Sequence, residues 1–271
     1  MNKISKNIKI ALLFLLVGLS VTSCQFEEIV PFDYPEGLIY LPLAQSGEVY
    51  VIDRLNETDL ITPTPGGAYK YIVNKGENRF EIPLAVYRSG LEPGGNISIN
   101  IAINNDTTNA LINGGTLEDT MLLPVDKYSV VSSVAMSNGG REAPFSVIVD
   151  FAYLRAQSPQ KFAFAVTISG APNNQNLSTI VILIDTKMLI PVPNFAVEMD
   201  GADYRKAYFI NNSLNAVSYS WKFGDGNTSN GKSPSHVFAT DGNYQVELTT
   251  VGLFGDEVVL RKDVKIEKKQ E

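Results

Sequence analysis

The sequence predicts an all-β chain with two β-sandwich domains in tandem. Short stretches rich in Val, Ile and Tyr recur along most of its 271 residues, and Gly, Pro, Asn or Asp bounds each of them. In Asn96–Asn104 an isoleucine occupies every second position, which gives the strand one buried and one solvated face. Because no amphipathic helix pattern separates these stretches, sandwiches are favoured over a parallel α/β sheet.

Residues 1–23 have the pattern of a secretory signal peptide. Three lysines precede an apolar run from Ile10 to Val21, which is too short for a comfortable membrane span. The run ends in Val21-Thr22-Ser23-Cys24, which resembles the lipobox of bacterial lipoproteins. Since Cys24 is the only cysteine, no intramolecular disulfide can form. The resemblance implies that Cys24 carries lipid, palmitate included, and begins the mature chain; the alternative is a plain secreted protein with an incidental cysteine.

Residues 24–36 are predicted to be a tether between the lipid and the first domain. Pro31 and Pro35 and the mixed residues between them show no regular pattern. Gln25-Phe26-Glu27-Glu28 resembles the short acidic signal that exports Bacteroidetes lipoproteins to the outer face of the outer membrane. That resemblance implies a chain that faces the cell exterior, although two adjacent glutamates on a solvated tether also arise by chance.

The first sandwich is predicted over residues 37–189. A short helical or irregular turn is expected within residues 149–157, where Tyr153-Leu154-Arg155-Ala156 breaks the alternation. The expected strands are Gly37–Leu43, Glu48–Asp53, Ala68–Asn74, Arg79–Tyr87, Asn96–Asn104, Tyr128–Met136, Pro144–Phe151, Lys161–Ile168 and Ser178–Asp185.

An ordered series of phrases in this domain resembles a known family. The phrases are Ile39–Ala44, Phe80–Gly90, Leu123–Tyr128, Phe145–Phe151 and Lys161–Ile168. They are similar to the immunoglobulin-like (Ig-like) domain of unknown function at the N-terminus of Bacteroidetes surface glycosidases and glycan-associated lipoproteins. The last phrase lacks the Leu-Pro that the family commonly has in its middle. The resemblance implies an Ig-like sandwich and a connection with glycans.

A second domain is predicted over residues 192–268, after the connector Pro191-Val192-Pro193. Three phrases resemble a PKD domain, which is another small Ig-like sandwich. They are Tyr219–Gly226, Pro234–Phe238 and Gly242–Thr249. The alternation in the first phrase directs its single tryptophan into the core, and its Gly-Asp-Gly supplies the positive dihedral angles of a tight turn.

The sequence contains no evident catalytic, metal or cofactor site. The single histidine, His236, excludes a histidine-rich zinc site and is expected to pack near Trp221. The acidic residues, Asp200 among them, fall mainly in predicted turns, and Asp225 is interpreted as a turn former and not as a calcium ligand. A net charge of −7 without a basic patch argues against nucleic acid as a partner.

Three aromatic residues are the candidates for ligand binding, because sugars stack on exposed rings. Tyr69 and Tyr71 share one face of a predicted strand, and Phe254 lies between Gly252 and Gly255 at a predicted hairpin tip. The alternative for each is ordinary packing in a sandwich core or at a sheet edge.

The resemblances imply a non-enzymatic, outer-membrane surface lipoprotein that helps to capture glycans for a glycan utilisation system. Its expected partners are a glycan or components of an outer-membrane transporter, and the membrane through the lipid. A spacer or protein-interaction lipoprotein without sugar binding is the alternative. A glycosidase is the third possibility, but the sequence shows no catalytic constellation, and a PKD domain stands where the catalytic domain follows in the resembling family.

Overall fold

Strands make up most of the regular structure in the computed structural model, which describes residues 37–44, 49–55, 71–91 and 94–268. The described part contains eighteen strands and two α-helices. The predicted signal peptide, the predicted tether, Cys24 and Tyr69 lie outside these residues. Neither described helix has the length and apolar content that a membrane crossing requires.

The first domain is built from eleven described strands in two sheets. They are β1 (Ile39–Tyr40), β2 (Val49–Ile52), β3 (Ile72–Asn74), β4 (Arg79–Arg88), β5 (Ile97–Ile103), β6 (Thr120–Leu122), β7 (Tyr128–Val130), β8 (Ser133–Met136), β9 (Glu142–Asp150), β10 (Lys161–Ser169) and β11 (Thr179–Asp185). One sheet has the order β1-β4-β9-β7, with β3 also paired to β4. The other has the order β2-β11-β10-β5-β8, with β6 also paired to β10.

The period-two alternation of the sequence sets the core between these two sheets. Phe80, Ile82, Leu84 and Val86 of β4 are all buried, while the residues between them are partly exposed. They belong to one apolar cluster with residues of β9, β10 and β11 from both sheets. The inward row therefore provides the sandwich core, as expected for a half-buried antiparallel strand.

Two short helices accompany the strands. Helix α1 (Asn105–Asn113) begins after Asn104, whose side chain accepts a hydrogen bond from the Thr107 N–H. Its Leu111 and Ile112 pack over the outer face of the six-stranded sheet, where β10 presents small alanines. The sequence analysis predicted no helix here, because Asn104–Asn109 has the composition of a turn. Helix α2 (Phe151–Ala156) lies where the alternation breaks.

The second domain has seven described strands in two sheets. They are β12 (Phe195–Met199), β13 (Lys206–Asn211), β14 (Ser218–Lys222), β15 (Thr228–Ser229), β16 (Ser235–Val237), β17 (Gly242–Val251) and β18 (Glu257–Ile266). The sheet orders are β12-β13-β16 and β15-β14-β17-β18. Trp221 is fully buried between the sheets, and its indole N–H donates to the Gly231 carbonyl at 2.9 Å. The prediction of an all-β fold with two sandwiches in tandem is confirmed.

The hairpin between β17 and β18 joins the two sandwiches. At its tip Leu253 is 5% exposed and packs in the core cluster of the first domain. Phe254 stacks on Phe151 of α2 with ring centroids 3.9 Å apart, and the Arg155 guanidinium lies 4.8 Å from the Phe254 centroid. Arg155 also forms an ion pair with Asp256. The contact therefore combines apolar burial with a charge pair.

Candidate functional site

The described aromatic candidates from the sequence are not available as sugar platforms. Tyr71 is 5% exposed, stacks on Phe80 at 4.7 Å and donates its hydroxyl to the Arg54 carbonyl. Phe254 lies at a hairpin tip, but its ring covers Phe151 of the first domain. Packing, the alternative weighed for both residues, is what the structure shows, because in each case another part of the chain covers the ring.

His236 and Asp225 form a pair with a structural role. His236 Nε2 lies 2.6 Å from Asp225 Oδ2, and its ring stacks on Phe223 at 4.2 Å. Asp225 Oδ1 also accepts the Asn227 N–H at 3.0 Å, inside a turn whose Gly224 has φ +84°. The pair thus fastens the turn after β14 to β16, and His236 contacts the rings of Phe223 and Phe238. The sequence analysis placed His236 nearer to Trp221.

The described residues contain no cluster of three or more His, Cys, Asp or Glu side chains that could hold a metal ion. A described zinc or calcium centre is therefore not among the candidate sites. The remaining candidate chemistry is recognition by an exposed ring and its polar neighbours.

Tyr208 is the one aromatic residue in the described part of the chain that is largely exposed, at 39%. It lies in the middle of β13, where Ala207 and Phe209 point into the core with 0% and 1% exposure. Since successive residues of a strand face opposite sides, Tyr208 must point outward. It therefore stands at the centre of the outer face of the β12-β13-β16 sheet.

Polar side chains surround the Tyr208 ring on this face. In the strand register Glu198 of β12 and Ser235 of β16 lie directly opposite Tyr208 on either side. The Tyr208 hydroxyl donates to Asp200 Oδ2 at 2.7 Å, and Lys206 Nζ lies 4.8 Å from the ring centroid. We call these five residues the Tyr208 face: Glu198, Asp200, Lys206, Tyr208 and Ser235.

Hydrogen bonds fix the position and charge of Asp200. Its Oδ1 accepts the backbone N–H groups of Ala202 and Asp203 at 2.8 and 3.0 Å, so the carboxylate is held on both oxygens. The hydrogen bond from Tyr208, followed by these backbone bonds, holds the pKa of Asp200 well below its usual range. Asp200 is thus a fixed anion at neutral pH.

Lys206 carries the opposite charge beside the ring. Its ammonium lies 3.6 Å from Asp200 Oδ2. Its interaction with the Tyr208 hydroxyl, and then the Asp200 charge, raise the pKa of Lys206. Tyr208 is therefore flanked by one cation and, counting Glu198, by two carboxylates.

This arrangement suits a ligand that has an apolar face and hydroxyl groups at its rim. A ring exposed on a flat sheet offers a stacking surface, and fixed carboxylates accept hydrogen bonds from hydroxyls. A pyranose sugar has both features. The sequence signal for the site was present in the adjacent aromatic residues Tyr208 and Phe209, because in a strand one of the two must face outward.

Comparison with known proteins identifies the second domain. A family model described as a PKD domain matches residues 205–259. The PKD1 domain of Vibrio anguillarum Epp is 31% identical, and the alignment covers 28% of this chain and 93% of that chain with a TM-score of 0.27. The chain belongs to the PKD domain family. The Tyr208 face thus lies partly within the matched segment of the PKD domain and partly just before it.

A second family model, described as an N-terminal domain, matches residues 47–175. The predicted order, an N-terminal domain followed by a PKD domain, is confirmed. A candidate carbohydrate-binding protein from Bacteroides ovatus shares 8% identity over 84% of this chain and 70% of that chain, with a TM-score of 0.39.

The curated relative is a secreted protease precursor that matches only in part. The pre-pro-metalloprotease PrtV of Vibrio cholerae is 27% identical over 159 residues, which are 57% of this chain. The alignment spans 16% of the length of PrtV. The match comes through the PKD domain, and neither matched domain of the present chain is a catalytic one.

Proposed function

We propose that the chain is a non-catalytic, outer-membrane surface lipoprotein that binds glycan through the Tyr208 face of its PKD domain. In this role it assists glycan capture for a glycan utilisation system, with a glycan or transporter components as partners. The observation that carries the proposal is the exposed Tyr208 ring with a fixed carboxylate bonded to its hydroxyl.

The proposed location rests on the N-terminal sequence. The lipobox-like Val21-Thr22-Ser23-Cys24 supports lipid attachment, and the acidic residues after Cys24 support export to the outer face of the outer membrane. Several acyl chains on one cysteine give stable anchoring, since each buried methylene contributes about 0.8 kcal/mol.

The contact between the sandwiches favours a second candidate function, that of a spacer or protein-interaction lipoprotein. Phe254, Leu253 and the Arg155–Asp256 ion pair hold the PKD domain against the N-terminal domain. A stiff pair of domains is what a spacer needs, and it requires no exposed aromatic ring.

The experiment that separates these candidates is a glycan array followed by calorimetry on the chain that begins at Gln25. The variants are Tyr208→Ala and Tyr208→Phe, with Val259→Ala on the opposite sheet as an exposed control. We expect Tyr208→Ala to raise Kd at least about tenfold, corresponding to about 1.4 kcal/mol. Tyr208→Phe retains the stacking surface and should cost less.

Two results contradict the glycan proposal. The first is a folded sample that binds no host or dietary glycan, which leaves the spacer or protein-partner function. The second is glycan binding that Tyr208→Ala leaves unchanged, which removes the Tyr208 face as its site.

A further inference from the structure

A second outward row of side chains crosses the five-stranded sheet of the N-terminal domain. Tyr40 of β1 lies opposite Tyr87 of β4, and Tyr87 lies opposite Glu142 of β9. Their chain neighbours Val86 and Ala143 are buried, with 0% and 3% exposure. Because successive residues alternate between faces, Tyr40, Tyr87 and Glu142 all lie on the outer side of the sheet.

The two tyrosine rings form a tilted pair on this face. Their centroids are 6.1 Å apart, and the ring planes meet at 40°. Both residues are half-buried, so each keeps part of its surface open. The next outward row contains Ala85 opposite Pro144, which extends the apolar surface along the sheet.

A carboxylate stands at one end of the ring pair. Glu142 is exposed on the edge of this surface. Burial, and then interaction of the hydroxyl with the Glu142 carboxylate, raise the pKa of Tyr87. A carboxylate thus lies beside a tyrosine hydroxyl here, as Asp200 lies beside Tyr208 in the PKD domain. The same combination occurs on the outer sheet face of both domains.

We propose that Tyr40, Tyr87 and Glu142 form a second sugar site, which takes one pyranose unit of a glycan on the N-terminal domain. The class of ligand rests on the proposed function, while the site itself rests on this row. The tyrosine rings supply the stacking surface, and the Glu142 carboxylate accepts a hydrogen bond from a ring hydroxyl. The two sites lie on different domains, so one polysaccharide chain can occupy both.

The test is an NMR titration of the ¹⁵N-labelled chain that begins at Gln25, with maltohexaose, cellohexaose and N-acetylchitohexaose as separate probes. We expect at least one probe to shift the backbone amides of Tyr40, Tyr87 and Glu142 in addition to those around Tyr208. Tyr40→Ala/Tyr87→Ala should raise Kd for the first group about tenfold or more and change Kd for the second less than about twofold. Tyr208→Ala should do the reverse.

Glu142→Gln keeps the fold testable, because this exposed side chain can change without removing a core residue. It should weaken binding at the first group of amides and leave the Tyr208 group unchanged. Shifts confined to the Tyr208 region would overturn the second site and leave the proposed function standing. Shifts at neither region with any probe would overturn both, while shifts at the Tyr40–Tyr87 row alone would keep this site and remove the Tyr208 face.

Discussion

Phe254→Ala should loosen the contact between the N-terminal domain and the PKD domain. The ring lies at the tip of the β17–β18 hairpin, stacks on Phe151 at 3.9 Å and has the Arg155 guanidinium 4.8 Å from its centroid. Truncation removes both ring interactions and exposes part of the Phe151 surface. The rest of the hairpin stays intact, because the paired residues of β17 and β18 lie outside the substitution.

The size of the loss follows from the degree of burial. Truncating a fully buried Phe to Ala costs about 3–5 kcal/mol. Phe254 is only half-buried, so about half of that, roughly 2 kcal/mol, is expected for Phe254→Ala. For a protein of about 150–250 residues each kcal/mol shifts Tm by about 2–4 °C, which gives a decrease of about 4–8 °C.

The assay is differential scanning calorimetry of the chain that begins at Gln25, with Phe254→Leu and Val259→Ala as comparisons. Phe254→Leu retains most of the apolar contact and should lose less than half as much as Phe254→Ala. Val259 is exposed on β18, and its truncation should leave Tm within about 1 °C, as expected for surface positions. An unchanged Tm for Phe254→Ala would refute the idea that the ring contributes to joining the domains.

Three further substitutions test other parts of the structure. Trp221→Phe should cost about 1–3 kcal/mol in urea unfolding, because it leaves the buried Gly231 carbonyl without its donor; an unchanged midpoint would contradict this. Asp150→Asn should cost about 1 kcal/mol at pH 7, since Asp150 Oδ1 accepts the first-turn N–H of Tyr153 and this bond lowers the Asp150 pKa. Because the folded pKa is depressed, that contribution is full above the ordinary carboxyl pKa of about 3.9 and is lost as pH falls through the folded value, so the difference from Asp150→Asn should shrink in acid. Ala163→Leu should destabilise the fold by about 1–3 kcal/mol, because Ala163 is fully buried in the cluster beneath α1, and a gain in stability would show that the space there is larger than it is.

The alternation of the sequence predicts the strands well because it records which face each residue buries. Asn96–Asn104 contains β5, and the inward Trp221 is buried as its alternation requires. Helix α1 could not be foreseen from alternation. Its residues favour turns when taken alone, and the helix is stabilised by the Asn104 cap and by packing on β10, which is distant in sequence.

The sites show the same limit more sharply. A sequence shows which residues are aromatic but not which rings another domain covers, so Phe254 resembled a free hairpin tip. Tyr208 was passed over because nothing in Tyr208-Phe209 alone indicates which ring faces outward. The Tyr40–Tyr87 pair joins strands nearly fifty residues apart, and only the register brings the rings together.

The parallel pairing of β2 with β11 has a mechanical consequence. Val49–Ile52 and Val181–Ile184 run side by side in the same direction, at the beginning and the end of the N-terminal domain. A pull between the N-terminal side of β2 and the C-terminal side of β11 drags the two strands past each other in opposite directions. Their hydrogen bonds then bear the load together and do not open one at a time, so this pair acts as a clamp against stretching.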